Sequence, residues 1–287
     1  MVKVIELIDL TKSQLDKLNR NKTIFVSAIS PIEVHGPHLP LGSDLMAARE
    51  IMKRTCQKIK NYDLIHIEDL AMGAHVMPAG GSFPVHYRTL KKIIVMWATK
   101  LQEMGFKHWL IFNGHGAANQ ILALCEASTI MKKKGFNLII PFLTIFHESK
   151  KLNEDLKLSK EFSGGMIDYH AGTNETSLLL AIDEKKVAKD YKKYKKYFPK
   201  FKSKLGNFIR LFGEKDMGTV CDWVEDPKSR FYLGDPSKAN KKIGEKFLEY
   251  NAIRSYEIFN DSIKKGYVPP KYFSPFMKFM LKITPEW

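Results

Sequence analysis

"TIFVSAISPIEVHGPHLPLGSD", residues 23–44, joins two kinds of chain. Its first eight residues are apolar or small on both sides, so they read as a strand buried on both faces rather than one that alternates between core and water. Pro31, Gly36, Pro37, Pro40 and Gly42 then forbid regular structure until a helix near 45–60. The same alternation continues through "DLIHIEDL", a helix near 89–104, "HWLIFN", a helix near 118–134 and "NLIIPFLTIF". Apolar runs separated by helical segments predict an α/β protein: a single layered domain, with a mostly parallel sheet flanked by helices on both faces.

Beyond "TIFHESK" the pattern changes. Residues 150–165 read as irregular or partly helical, a helix starts around Asn174, 206–235 reads as loop, and 236–265 as a long charged helix opened by "DPSKAN". No internal repeat or low-complexity linker divides the chain, so one domain is expected over 1–287. It carries a basic insert at about 185–204 and an extended tail at about 267–287, aromatic and Pro-rich, draped over a surface or a neighbour.

At 287 residues and 44% hydrophobic composition the chain is long enough for a real core. Its apolar runs are shorter than the roughly 20 residues of a membrane span. The opening "MVKVIELIDLTKSQ" is interrupted by Lys3, Glu6 and Asp9, unlike a signal peptide, so a cytoplasmic protein with no membrane partner is expected. Cys56, Cys125 and Cys221 are scattered and odd in number, which argues against disulfides and against a cysteine-based zinc site. The net charge of +15 would suit polyanions, but ten lysines lie in 185–204 against a single acid, Asp190. That segment, with Tyr191, Tyr194 and Tyr197, reads as a solvated arm before it reads as a nucleic-acid surface.

The chemistry-bearing residues gather where strands end. Glu33 and His35, two apart in extended chain, project to one side and could share an ion. Asp44 returns just before a helix, where an N-cap role competes with a ligand role. "LIFNGHGAAN" delivers His115 between two glycines behind Asn113, at a second strand end, and ligands collect outside the carboxyl ends of parallel strands. "DYHAGTNETS" adds Asp168, His170 and Glu175; Thr173 or Asn174 could cap a helix there and Glu175 could only complement its dipole, but no cap requires His170. Histidines and carboxylates mixed in this way suit zinc, manganese or iron in dinuclear hydrolases. His66, His108 and His147 read as packing residues, while His75 and His86 lie in a Gly/Pro loop that could line the pocket.

These segments resemble the creatininase (creatinine amidohydrolase) family, over roughly residues 20–260. "SAISPIEVHGPHLPLGSD" matches the family's Gly-Ser-x-Glu-Gln-His-Gly-Pro-His-Leu-Pro-Leu-Gly-Thr-Asp, "NGHGAAN" its Asn-Gly-His-Gly-Gly-Asn, and "HAGTNETS" its His-Ala-Gly-x-x-Glu-Thr-Ser. The resemblance implies a creatininase-like fold and two divalent metal ions, zinc first with manganese or iron as alternatives. It places ligands at Glu33, His35, Asp44 as bridge, and His115, with His170 as acid/base. His38, Asn113 and Asp168 fall behind these or in the pocket. Ala117 stands where creatininases carry a ligand carboxylate, and Glu175 is the natural substitute as fifth ligand. Met166 stands where they place a Trp over the substrate, and "FPVHYRT" replaces Phe-Pro-Gly-Thr, so creatinine itself is not the expected substrate.

The implied activity is metal-dependent hydrolysis of a non-peptide or cyclic C–N amide bond in a small molecule. A hydroxide held between the ions would attack the carbonyl, with His170 as proton donor. A formamide deformylase of the same family, acting on a formamidopyrimidine nucleotide, is one alternative; a non-catalytic module using the basic arm for anionic partners is another. Family members also imply a homo-oligomer, a hexamer among the possibilities.

Overall fold

The structure, a computed structural model, describes residues 4–148, 168–212 and 215–283. Five strands, β1 (Val4–Glu6), β2 (Thr23–Ala28), β3 (Asp63–His66), β4 (His108–Phe112) and β5 (Asn137–Ile139), form one sheet in the order β1-β3-β2-β4-β5. Every pairing in it is parallel. All six residues of β2 are buried, as a strand covered on both faces requires.

Helices α2 (Ser43–Cys56), α3 (Tyr87–Glu103) and α4 (Ala118–Lys133) make the crossovers. From β2 the chain moves through α2 to β3 on one side, then back across the sheet through α3 to β4 and onward through α4 to β5. Right-handed crossovers running in opposite directions put α2 on one face and α3 with α4 on the other. Accordingly α3 packs on α4, while α2 packs with α6 (Thr173–Asp183) and α9 (Lys241–Lys265). The short helices α1 (Lys12–Lys17) and α5 (Pro141–His147) flank the sheet's ends in sequence. The core between sheet and helices is dense: Phe25 meets Phe106 edge-on at 4.8 Å, and the fully buried Trp109 donates its indole N–H to Ser27 Oγ at 3.0 Å. Truncating such an aromatic costs about 3–5 kcal/mol.

Four expectations need correction or completion. "NLIIPFLTIF" is not one strand: β5 stops at Ile139, and Pro141, whose missing N–H costs nothing in a first turn, opens α5, which carries His147. Residues 206–235 are not loop throughout, because α7 (Lys204–Arg210) and α8 (Lys215–Glu225) occupy much of that stretch. Gly206 and Gly218 mark where these helices touch; a Cβ on Gly206 would lie 2.6 Å from the Gly218 carbonyl oxygen. Segment 185–204 is not simply a solvated arm either: Tyr191, Tyr194 and Tyr197 pack against a cluster containing Leu39 and Tyr232, and Ala188 N donates to the His38 carbonyl. The final stretch forms α10 (Pro275–Ile283), which buries Met277 and Leu281. The reading of 150–165 and the position of Met166 fall outside the described residues.

Among the described residues no helix is long and apolar enough to cross a membrane. All three cysteines are free, with Cys56 and Cys221 buried.

Candidate metal centre

β2 and β4 are neighbours, with Ala28 opposite Phe112, and their connections leave in opposite directions, so a crevice opens between their carboxyl ends. The loop after β2 carries Glu33 and His35 and returns through Pro37 and Pro40 to α2. Asp44 is the second residue of that helix, whose N-cap is Gly42, so the capping role open to Asp44 is not the one it takes. The loop after β4 lies directly against this turn: a Cβ on Gly114 would collide with the Asp44 carbonyl oxygen. Only glycine lets the two loops close up and bring His115 beside Asp44.

Five side chains from three loops converge. His35 Nε2 lies 3.1 Å from Asp44 Oδ1 and 3.7 Å from Glu175 Oε2. His115 Nδ1 lies 2.9 Å from Asp44 Oδ2 and 3.1 Å from Glu33 Oε2. Candidate ligand atoms within 4.8 Å of one another form the sets Glu33–Asp44–His115, His35–Asp44–Glu175 and Glu33–His35–His170. Asp44 belongs to the first two, offering one oxygen to each histidine.

The hydrogen bonds show what this arrangement suits. A carbonyl oxygen only accepts, so His35 Nδ1, 2.9 Å from the Glu33 carbonyl, carries a proton. His115 Nε2, 3.3 Å from the carbonyls of Ala74 and His75, carries one as well. In the neutral rings the opposite nitrogens then aim lone pairs at carboxylate oxygens, a repulsive pairing unless a cation or a second proton lies between. Glu33 Oε2 is buried without a hydrogen bond despite its closeness to His115. These are the marks of a cation site, and the donors present fit divalent metal.

The electrostatics agree. Burial opposes charge on His35, yet Asp44, then Glu175 and Glu33, hold its pKa up at about 10. His115 is likewise raised, against burial, by Glu33 and Asp44. In return the imidazoles, His115 foremost, draw Glu33 down to about 2, and His35 and His115 hold Asp44 below the usual carboxylate range, both against burial. Glu175 shifts upward, chiefly through burial, with the neighbouring Asp44 adding to it. Its Oε2 also accepts from Ala171 N at 2.5 Å, so it serves the start of α6 while facing His35.

His170 stacks on His35 at 4.4 Å and donates from Nε2 to the Val34 carbonyl at 2.8 Å. Asp168 sits behind, accepting from Thr173 N and Asn174 N at the start of α6, the work expected of Thr173 or Asn174 themselves. Burial raises Asp168 to about 7, those N–H bonds only partly offsetting it. His38 is in none of the three sets; it bonds Thr176 Oγ1 at 2.8 Å, and burial, helped by His35, pushes it down to about 4. Asn113 donates to the His115 carbonyl at 2.6 Å.

Several contributors had no signal in the reading of single motifs. Gln120 receives Ala74 N and donates to Asn113, tying the 70–86 loop to the His115 turn. Met77 N donates to Glu33 Oε1 at 2.6 Å. From that loop His75 contributes its carbonyl, whereas His86 caps α3. Trp223 of α8 covers His170 at 5.1 Å, and only its residue type could have drawn attention to it.

Comparison with known proteins bears on this geometry. A crystal structure of creatinine amidohydrolase (creatininase) superposes with a TM-score of 0.64 at 16% identity, covering 94% of this chain and 100% of that one. A creatininase of the Zn-Zn type, bearing a Glu-to-Gln mutation, gives 0.65 at 16%, covering 93% and 100%. A manganese creatininase gives 0.63 at 16%, covering 93% and 100%. At that identity these likenesses concern the fold. A search of curated proteins returned no match. The family model for creatininase, described as creatinine amidohydrolase, matches residues 8–257 and so spans every loop that feeds the cluster; the chain belongs to the creatininase family.

Proposed function

We propose that the chain is a metal-dependent amidohydrolase that cleaves a non-peptide or cyclic C–N amide bond of a small molecule. Glu33, His35, Asp44, His115 and Glu175 would hold two divalent cations. The observation that carries this reading is the pair of sets Glu33–Asp44–His115 and His35–Asp44–Glu175, which share Asp44. A carboxylate with one oxygen in each set is suited to joining two ions. Two imidazoles with three carboxylates suit zinc first, then manganese or iron; fold relatives are described with Zn-Zn and with Mn. Bound there, such ions supply Lewis acidity toward the amide carbonyl and a lowered pKa for attacking water.

The chain's own residues do the rest. His170 keeps Nε2–H on the Val34 carbonyl, which leaves Nδ1 as the atom that would take the proton released by the attacking water and pass it to the departing nitrogen. Met77, Trp223 and Leu233 form a buried apolar wall beside it, keeping competing water away. Asn113 and Gln120 hold the His115 turn, and Asp168 holds the start of α6, so both halves of the site are fixed before substrate arrives.

Metal content, followed by a screen of amides, lactams and formamides, tests the proposal. Glu33→Gln and His115→Ala are expected to lose metal and hydrolysis together. His170→Ala keeps its metal and loses about 10²–10⁴-fold in turnover. Undiminished hydrolysis by metal-stripped protein would sink it.

A further inference from the structure

Segment 185–204 holds ten lysines, and every one of them is exposed. The tyrosines between them turn the other way. Tyr191, Tyr194 and Tyr197 pack on the cluster that contains Leu39 and Tyr232. Tyr194 lies 5.4 Å from the His38 ring, and Tyr232 donates its hydroxyl to the Lys195 carbonyl at 2.8 Å. One side anchors and the other carries charge, so the lysines sit on a fixed track.

A second part of the chain widens that track. Tyr197 N donates to the Gly234 carbonyl at 2.9 Å and Ser237 N to the Tyr194 carbonyl at 3.1 Å, so 194–197 and 234–237 run side by side. The stretch around them brings Lys228, Arg230, Lys238, Lys241 and Lys242, all exposed. Carboxylates neutralise part of this surface: Asp190 pairs with Lys193, Asp222 with Lys202 and Glu184 with Lys241. Asp226 and Asp235 accept the hydroxyls of Tyr197 and Ser237. Lys192, Lys195 and Lys238 have no ion-pair partner among the described residues.

Two aromatic rings stand partly in solvent within this field. Phe201, between Lys200 and Lys202, is 40% exposed, and Phe231, next to Arg230, is 39% exposed. Phe231 has φ 57°, in the left-handed region that bulky residues rarely adopt. Strain of this kind clusters at sites that clamp ligands.

We propose that this face binds a single-stranded nucleic acid, with phosphates along the lysines and bases stacked on Phe201 and Phe231. Lysines neutralise phosphates and release counterions without reading sequence, and an exposed ring accepts any unstacked base. A lipid surface would call for a continuous apolar face beside the charge, whereas here the three tyrosines are turned into the protein. No residue of the candidate metal centre takes part, so this inference stands apart from the metal-dependent reading.

Fluorescence anisotropy of a labelled oligothymidylate of about 20 nucleotides, titrated with the full chain between about 50 and 200 mM salt, tests it. Affinity is expected to fall linearly with salt on logarithmic axes. Lys192→Ala, Lys195→Ala and Lys238→Ala combined should reduce that slope by about 2, at about 0.7 per lost phosphate contact. Arginine at the same three positions should restore it, which separates lost charge from lost fold. Phe231→Ala should weaken binding about tenfold or more. Absence of binding at the lowest salt, or a slope unchanged in the triple alanine variant, overturns the proposal. Equal or tighter binding of a duplex of the same length, with Phe231→Ala at full affinity, overturns the single-strand assignment. Binding to phosphatidylserine vesicles without binding to the oligonucleotide overturns it in favour of a membrane surface.

Discussion

Glu175→Gln separates the two halves of the candidate centre. Gln keeps an oxygen that can accept from Ala171 N, so the start of α6 is preserved and one formal charge is removed. Glu175 belongs to the set with His35 and Asp44 and is missing from the set with Glu33, Asp44 and His115. One ion should therefore weaken sharply while the other stays. Glu175 Oε2 lies 3.7 Å from His35 Nε2, the atom that would face the same ion, and a unit charge lost about 4 Å from a cation in an effective dielectric of about 20 costs about 4 kcal/mol. That corresponds to about three powers of ten in affinity. The assay is dialysis against a series of buffered free-zinc concentrations, with bound zinc counted by plasma mass spectrometry. Wild type is expected to fill two sites, and Glu175→Gln one over the same range. Two ions held at wild-type affinity would show that Glu175 only begins a helix. Simultaneous loss of both would refute the division into two sets.

Two further expectations concern stability. Gly114→Ala drives a methyl into the Asp44 carbonyl and should cost about 2–3 kcal/mol, with zinc affinity falling alongside; a denaturation midpoint equal to wild type would contradict the close approach. His66, hydrogen-bonded to Asp69 and, against the opposing effect of burial, also to Glu6, is raised from 6.5 to about 9. Its pKa is higher folded than unfolded, so its contribution is complete below about pH 6.5 and disappears as pH rises through about 9. Discounted for solvent screening it is worth about 1 kcal/mol, so urea denaturation of wild type and His66→Gln should differ at pH 6 and converge at pH 10. An equal gap at both values would count against the assignment.

The fold was legible in chain segments whose two faces have the same fate. β2 and β4 are mostly apolar because both their faces are covered, and turn residues bound them clearly. "NLIIPFLTIF" misled because periodicity does not distinguish a buried strand from a short buried helix; Pro141 held the answer. Gly206 and Gly218 look like loop residues, and their true role, letting α7 and α8 touch, is visible only when both helices are in place. At the candidate centre, side chains announced themselves through type and spacing. The carbonyls of Glu33, Val34, Ala74 and His75, which orient three imidazoles, carry no side-chain signature at all. Trp223 was hidden by the 53 positions separating it from His170.

Three consecutive residues do three separate jobs: the Glu33 carboxylate faces His115, the Val34 carbonyl anchors His170, and the His35 ring faces Asp44. In the proposed mechanism, metal position and proton donor would thus be mounted on a single peptide run, like two instruments on one bracket. A shift of that run displaces both by the same amount and preserves their mutual alignment, whereas a one-residue insertion inside it would break their registration. Under that proposal, drift in the surrounding loops could retune which molecule is held while leaving the relation between ions and acid intact.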